Sequence, residues 1–229
     1  MKSSPLVRLA VLNGTWADTV TALRLEAYQP EEREPKHLAT LSWGPTDQWS
    51  FNFGVLEDSK ILSAFRIEKF DRPESLARAL MINEIFRPIF QLTPARFPTA
   101  VFSRTVTARH ARGENLSLLL RSIALRGCLA AKYKEQYSTM KTETWRGGFL
   151  ARNGYALLEN VATWSLIPAA EQPGSVLMLD VAENGAQAVA SIEKQIAARP
   201  ASKAAQLLKS GTESNVAVVV AEIERFLRG

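Results

Sequence analysis

The chain has 229 residues, of which 46% are hydrophobic and 22% charged, so it can bury an ordinary core and is not expected to be disordered over the length of a domain. Its formal net charge of +5 suits nucleic acid, acidic lipid, an acidic carrier protein or a phosphorylated cofactor, and the lack of a long Lys or Arg run makes nucleic acid the weakest candidate. With a single cysteine, Cys128, no secretory signal and no apolar run near the ~20 residues of a membrane span, we expect a cytoplasmic protein with no disulfide, no cysteine-rich zinc site and no membrane span.

Hydrophobic periodicity in the N-terminal half predicts an initial strand, two helices and a β-hairpin. The predicted elements are a strand over 6–12, a helix over 16–28 capped by Thr15, a loop over 29–37, hairpin strands over 48–57 and 61–70, and a helix over 73–90. The alternation of Phe51, Phe53 and Val55 is typical of a half-buried strand.

The remaining elements place further strands and helices beside the hairpin. They are strands over 99–108, 136–141 and 155–167, helices over 115–131 and 144–153 and, beyond Pro168, helices over 186–198, 202–209 and 214–227. The change at Pro168 predicts a first domain over 1–168 and a mainly helical extension over 169–229. Because strands and helices do not alternate regularly, the order predicts an α+β (α/β three-layer) fold with a mixed, mostly antiparallel central sheet flanked by helices. The apolar stripes of the C-terminal helices must be buried, for which we favour the same chain over a homodimer.

The junction between the strand at 99–108 and the helix at 115–131 carries the clearest chemical signal. A basic loop, Arg109-His110-Ala111-Arg112-Gly113-Glu114, delivers the strand onto the N-terminus of the helix. A helix N-terminus offers unpaired backbone N–H groups and a partial positive charge, which together hold phosphate. The excess of arginine over acid around this loop favours an anionic ligand over a metal ion.

Around this junction the chain resembles the GNAT superfamily of N-acetyltransferases, over about 7–167. The phosphate-binding loop of that family follows the pattern Q/R-x-x-G-x-G/A, and here Arg112 fits its first position, Asn115 replaces the middle Gly, and Ser117 is a small residue at its last position. The segment Phe149-Leu150-Ala151-Arg152-Asn153-Gly154-Tyr155 is similar to the family's later helix ending in Gly-Phe, with Leu150 where many members carry a tyrosine acid.

The N-terminal half is more similar to one branch, the acyl-homoserine-lactone synthases and long-chain N-acyl amino acid synthases. This similarity is carried by Leu23-Arg24 with Tyr28, by Asp47, by Phe65-Arg66-Ile67 and by Phe102-Ser103-Arg104. Val101 stands where that branch usually has a Glu.

The resemblance implies an N-acyltransferase that moves an acyl group from an acyl thioester, on an acyl carrier protein or coenzyme A, to a small-molecule amine acceptor. No metal is implied, and the co-substrate is a coenzyme A or 4'-phosphopantetheine thioester. The implied catalytic residues are Arg104, Arg24 and Asp47. The implied donor-binding residues are Thr105, Val106, Thr107 and Ala108 for the pantetheine arm and Arg109, Arg112, Gly113, Glu114, Asn115, Leu116 and Ser117 for the phosphate.

Other interpretations of these residues stay open. Arg24 also suits a solvated helix face, Asp47 a turn, and Arg104, in mid-strand, needs either a structural partner or a ligand. The alternative functions are a plain acetyl-coenzyme A-dependent N-acetyltransferase and a catalytically degenerate GNAT-fold protein that binds a ligand or a partner.

Overall fold

A computed structural model describes residues 6–27, 41–80, 95–141, 145–163, 174–209 and 213–229. Three predicted segments lie outside the described residues: the loop at 29–37, the part of the 73–90 helix beyond residue 80, and the end of the strand at 155–167. In the described part of the chain no helix is long and apolar enough to cross a membrane.

A seven-stranded sheet forms the centre of the molecule, with the strand order β1-β2-β3-β4-β5-β7-β6. The strands are β1 (Val7–Val11), β2 (Phe51–Glu57), β3 (Lys60–Phe70), β4 (Thr99–Thr107), β5 (Glu135–Lys141), β6 (Ala156–Thr163) and β7 (Gly174–Asp180). Neighbouring strands are antiparallel except β4 and β5, which are parallel. The predicted mixed, mostly antiparallel sheet is therefore confirmed.

Helices flank the sheet on both faces. They are α1 (Ala17–Ala27), α2 (Pro45–Trp49), α3 (Pro73–Ala79), α4 (Leu116–Ala130), α5 (Trp145–Arg152), α6 (Val181–Ala197), α7 (Lys203–Lys209) and α8 (Glu213–Arg228). On one face, α4 packs against β2, β3 and β4 and is itself covered by α6 and α8. On the other face, α3 packs with Val101 and Tyr137 in a smaller apolar cluster.

Two boundaries differ from the sequence-based prediction for local reasons. Gln48 and Trp49 end a short helix instead of starting a strand, because Pro45 sits in its first turn and the Asp47 side chain accepts a hydrogen bond from the amide of Gly44. Thr15 lies within a short 3₁₀ turn, and Asn13 is the residue that caps it.

The segment after Pro168 contributes to the same sheet and core as the rest of the chain. Strand β7 pairs with β5 on one side and β6 on the other. Helix α8 lies so close to α4 that a Cβ on Gly127 would come within 2.3 Å of Ile223 Cγ2. As favoured from the sequence, the apolar stripes of α6 and α8 are buried within this chain, in the cluster that also encloses Cys128.

Candidate functional site

Strands β4 and β5 are neighbours near the middle of the sheet, but they diverge after a short paired stretch. Their parallel pairing covers only Thr99–Val101 against Glu135–Tyr137, whereas β4 continues to Thr107. The other edge of β4 stays paired with β3 as far as Thr107. From Phe102 onward, therefore, the edge of β4 that faces β5 has no strand beside it in the described part of the chain, and its backbone groups lack a strand partner there.

A bulge in β4 lies on this open edge. The register with β3 shifts between Ser103, opposite Arg66, and Val106, opposite Ala64. Within the bulge Arg104 has a φ of +51°, a left-handed conformation that costs an ordinary residue about 1 kcal/mol. Arg104 is half-buried and has no hydrogen-bond or ion-pair partner among the residues that the structure describes. Strained backbone of this kind concentrates at functional sites.

The predicted phosphate-binding residues lie where β4 leads into α4. A 3₁₀ turn over Arg109–Ala111 is followed by Gly113 at φ +90° and Asn115 at φ +58°, and α4 begins at Leu116 without a side-chain cap. The amides of Gly113, Asn115, Leu116 and Ser117 find no acceptor in the described part of the chain. A Cβ placed on Gly113 would meet no atom within 4 Å, so there is space beside the loop at this residue. Amides of this kind at a helix N-terminus suit an anion.

The loop is held from both sides. On one side Arg112 Nη2 donates to the carbonyl of Ala27 at 3.3 Å, at the end of α1. On the other side Glu114 Oε2 accepts from the amide of Lys203 at 2.7 Å, at the start of α7. Arg199 Nη1 lies 3.4 Å from the carbonyl oxygen of Gly113. Arg112 and Arg199 are both exposed, so they leave a positive rim around the amides.

Of the predicted pantetheine-binding residues, Thr105, Val106 and Thr107 form the last part of β4, and Ala108 follows directly. Thr107 pairs with Ser63, and the amide of Ala108 donates to the carbonyl of Leu62 at 2.9 Å. Ser63 Oγ contacts both the carbonyl of Val106 and the hydroxyl of Thr107. These bonds fix β4 to β3 and leave its opposite edge available.

Two of the predicted catalytic residues, Arg24 and Asp47, meet in a buried ionic cluster. Arg24 is 2% exposed and Asp47 3%, and both guanidinium Nη atoms donate to the carboxylate, at 3.0 and 2.6 Å. Arg66 Nη1 donates to the same carboxylate at 3.2 Å and Arg66 Nη2 to Glu68 Oε1 at 3.0 Å. Ser103 Oγ completes the chain by donating to Glu68 at 2.6 Å. The solvated-face alternative for Arg24 is thus wrong.

Asp47 is ionised in this setting. Burial by itself opposes the charge, but the hydrogen bond and charge of Arg24, the charge of Arg66 and the amide of Gly44 together hold the pKa of the carboxyl below its usual 3.8. Arg24 Nε is fully enclosed without an acceptor among the described residues, which marks the cluster as a place where the fold tolerates a cost.

The sequence analysis did not identify Glu68, and it did not predict the bulge that contains Arg104. Arg66 and Glu68 occupy alternate positions on β3, a pattern that puts two charges on one face of a strand and could have indicated the cluster. Arg104 lies one residue beyond Ser103, in the bulge, and forms no hydrogen bond or ion pair with the cluster among the described residues. On α5, Leu150 is fully packed at 1% exposure, in the position where the resemblance implies a tyrosine.

No family model matches the chain, and no curated protein matches it in sequence. Solved structures do match. A coenzyme A-dependent acyl-homoserine lactone synthase, BjaI, solved with SAM and isopentyl-CoA, has a TM-score of 0.57 at 14% identity, over 84% of this chain and 90% of that one. FeeM, an N-acyl amino acid synthase from uncultured soil microbes, has a TM-score of 0.55 at 12% identity, over 78% and 93%.

A third match is the ribosomal-protein-S18-alanine N-acetyltransferase of Escherichia coli, with a TM-score of 0.53 at 9% identity, over 77% of this chain and 94% of that one. The chain has the GNAT fold. The parted strands β4 and β5, the bulge and the open N-terminus of α4 all lie within it. Among the described residues no three His, Cys, Asp or Glu side chains are grouped so that they could hold a metal ion.

Proposed function

We propose that the protein is an N-acyltransferase that moves an acyl group from a pantetheine thioester to an amine. The observation that carries the proposal is the continuity between two groups of backbone atoms that have no partner among the described residues: the edge of β4 that faces β5, and the amides of Gly113, Asn115, Leu116 and Ser117. The β4 edge suits the extended pantetheine arm, whose amides can pair with a strand. The loop amides at the end of that edge suit a phosphoryl group. The structures that share this fold include acyl- and acetyltransferases.

In the proposed reaction the amine nitrogen attacks the thioester carbonyl carbon. A C–N bond forms, the C–S bond breaks, and the sulfur leaves as a thiolate that takes up one proton, while the amine gives up one. The residues over Thr105–Ala108 hold the pantetheine arm, and the loop from Arg109 through Arg112 to Ser117 holds the phosphate. Holding both reactants in line supplies a large part of the rate, and a backbone N–H of the open edge stabilises the oxyanion.

The acceptor side of the proposal rests on charge. Arg104, half-buried beside the bulge and without a partner in the described residues, is the cation that we assign to the acceptor. Arg24 and Asp47 position Arg66 and Ser103, and thereby the strand that carries Arg104. The donor is a coenzyme A thioester, whose pyrophosphate the amides hold, or an acyl carrier protein, whose acidic surface meets Arg109, Arg112 and Arg199.

One observation favours the alternative of a GNAT-fold protein that binds its ligand without catalysis. Leu150, an apolar and fully packed residue, stands where the resemblance implies the tyrosine that returns a proton to the leaving thiolate. Thiol release from acetyl- and octanoyl-coenzyme A and from octanoyl-carrier protein, measured with a panel of amines, separates the two candidates. Donor binding without thiol release from any donor would support the alternative.

The donor site itself is tested at Ser117, the second residue of α4. The N–H of Ser117 lies in the first turn and has no acceptor within the helix, and Pro in the first turn removes such an N–H. Ser117→Pro should therefore weaken coenzyme A binding by about 10-fold or more. Ser117→Ala keeps the N–H and is the matched control. Equal affinity of the two folded variants, measured by calorimetry, would place the phosphate elsewhere.

A further inference from the structure

Arg121 is a buried cation with no acidic partner among the residues that the structure describes. It lies on α4, in the turn after the phosphate loop, and is 7% exposed. Its Nη1 donates to Tyr155 Oη at 2.9 Å and to Ser138 Oγ at 3.3 Å. No carboxylate in the described part of the chain lies within ion-pair distance of it, in contrast to Arg24 and Arg66, whose charges are compensated. A buried charge without a counter-charge is unfavourable unless a ligand supplies one.

Neutral groups fix the direction of this guanidinium. Its central carbon lies 5.8, 5.7 and 5.5 Å from the ring centroids of Phe65, Phe102 and Tyr155. The Tyr155 hydroxyl donates onward to Gln136 Oε1, and Gln136 Nε2 donates to Ser138 Oγ at 3.0 Å. Tyr155 stays protonated, since burial raises its pKa in spite of the lowering effect of Arg121. The aromatic and polar partners therefore orient the side chain without neutralising it.

One edge of the guanidinium is left for a ligand. Nε and Nη2 donate to no acceptor in the described residues, and both keep some contact with open space, since Arg24 Nε is the one described donor that is fully enclosed without a partner. These two N–H groups form the side of the arginine fork that binds both oxygens of a carboxylate at once. The free edge thus matches a carboxylate better than a single hydroxyl or carbonyl.

The guanidinium of Arg121 lies close to the point where β4 and β5 diverge. Phe102 directly follows Val101, the last β4 residue paired with β5, and Ser138 directly follows its partner Tyr137. Because side chains alternate along a strand, Phe102 and Ser138 point to the α4 face, away from Ser103 and the ionic cluster. The opening between β4 and β5 therefore runs from the proposed acceptor side on one face to Arg121 on the other.

We propose that Arg121 binds the far end of the transferred acyl group, and that this end is a carboxylate. The preferred donor is then the monothioester of a short dicarboxylic acid. This inference rests on the proposed function, because it needs the thioester to lie in the opening between β4 and β5. In the reaction the amine displaces the thiol at the proximal carbonyl, with the bond changes given above, and the distal carboxylate is unchanged. An alkyl end at this place would leave the guanidinium buried without a counter-charge.

The test compares donors of equal length that differ only at the far end. Succinyl- is matched with butyryl-coenzyme A and glutaryl- with valeryl-coenzyme A, in binding and in thiol release. The wild-type protein should prefer the carboxylated donor by about 30-fold or more, the loss expected when one partner of a buried, hydrogen-bonded charge pair is removed. Arg121→Met should abolish or invert the preference. Arg126→Met is the control, because Arg126 lies on the same helix and pairs with Glu193 instead.

Each outcome of this test decides the question. Equal affinity of the wild-type protein for succinyl- and butyryl-coenzyme A overturns the inference, even if Arg121→Met does not fold. A carboxylate could also come from the acceptor, so amines with and without a carboxylate are compared. If Arg121→Met raises KM for the carboxylated amine and leaves donor preference unchanged, the donor assignment is wrong. Failure of coenzyme A itself to bind would instead remove the proposed function, and the inference with it, whereas binding without selectivity overturns the inference alone.

Discussion

Arg24 and Asp47 face each other through two parallel hydrogen bonds of 3.0 and 2.6 Å, although 23 residues separate them in the chain. Both side chains are buried, so removing Asp47 leaves Arg24 as an uncompensated charge. We expect Asp47→Ala to lower the free energy of unfolding by about 3–5 kcal/mol and the double variant Arg24→Met/Asp47→Ala to recover a large part of the loss. Urea unfolding of both variants checks this.

An exposed pair provides the control. Glu224 and Arg228 form an ion pair at spacing i, i+4 near the end of α8, with the arginine side chain 57% exposed. Glu224→Ala should cost no more than about 0.5 kcal/mol. Similar losses for Glu224→Ala and Asp47→Ala would contradict the importance of burial.

The lowered pKa of Asp47 predicts how stability depends on pH. The folded-state pKa lies below the usual value of 3.8, so the stabilisation from ionised Asp47 is fully present above about pH 4 and is lost as the pH falls through the folded-state value. The difference in unfolding free energy between the wild-type protein and Asp47→Asn should be constant from pH 7 to pH 5 and should shrink below pH 4. If this difference instead grew on acidification, the pKa of Asp47 would be raised by folding, which would contradict the prediction.

Close packing of α8 on α4 predicts that alanine at position 127 destabilises the protein, although alanine ordinarily favours a helix more than glycine does. At Gly127 an added Cβ would meet Ile223 Cγ2 at 2.3 Å and Cβ at 2.8 Å, so Gly127→Ala should destabilise by about 1–3 kcal/mol through overpacking. At Gly148, on α5, the nearest atom is the flexible end of Arg152 at 3.5 Å. Gly148→Ala should therefore stabilise by about 0.4–1 kcal/mol. Relative to the wild-type protein, the melting temperature should fall for Gly127→Ala and rise for Gly148→Ala.

Glu114 lies in the predicted donor-binding loop, yet its carboxylate caps the start of α7 through the amide of Lys203. Removing this acceptor in Glu114→Ala should cost about 1 kcal/mol of stability, as for other helix N-caps. Its effect on coenzyme A affinity should be smaller than that of Ser117→Pro. An affinity loss for Glu114→Ala equal to that of Ser117→Pro would instead make Glu114 part of the donor site.

The strand–loop–helix junction could be predicted closely from sequence. The strand expected over 99–108 is found at Thr99–Thr107, and the helix expected over 115–131 at Leu116–Ala130. Both have strong local signals: a run of β-branched and aromatic residues, a glycine-containing turn, and apolar residues at helical spacing. Where the local sequence pattern agrees with the observed burial, the bounds of a strand or helix can be predicted without knowledge of its tertiary contacts.

The site depends on contacts that no local pattern carries. The parting of β4 from β5 follows from how far two distant segments stay paired, and the charge pair of Arg24 with Asp47 follows from the docking of α1 against α2. Arg121 illustrates the limit well. Leu120 and Ser122, the neighbours of Arg121 on its helix, are also buried. The sequence therefore gives no hint that the guanidinium reaches Ser138 on β5 and Tyr155, the residue before β6, because those contacts depend on how distant segments pack.

The open edge of β4 also bears on how the protein should behave at high concentration. Beyond Val101 this edge has no strand partner among the described residues. Backbone groups without a strand partner are a template to which an extended segment of another molecule can add, and proteins commonly oppose such self-association with charge. Arg104 and Arg109 beside this edge would repel a second copy only partly, and less so in concentrated salt. Stocks kept with coenzyme A should then remain dispersed under conditions in which the free protein precipitates.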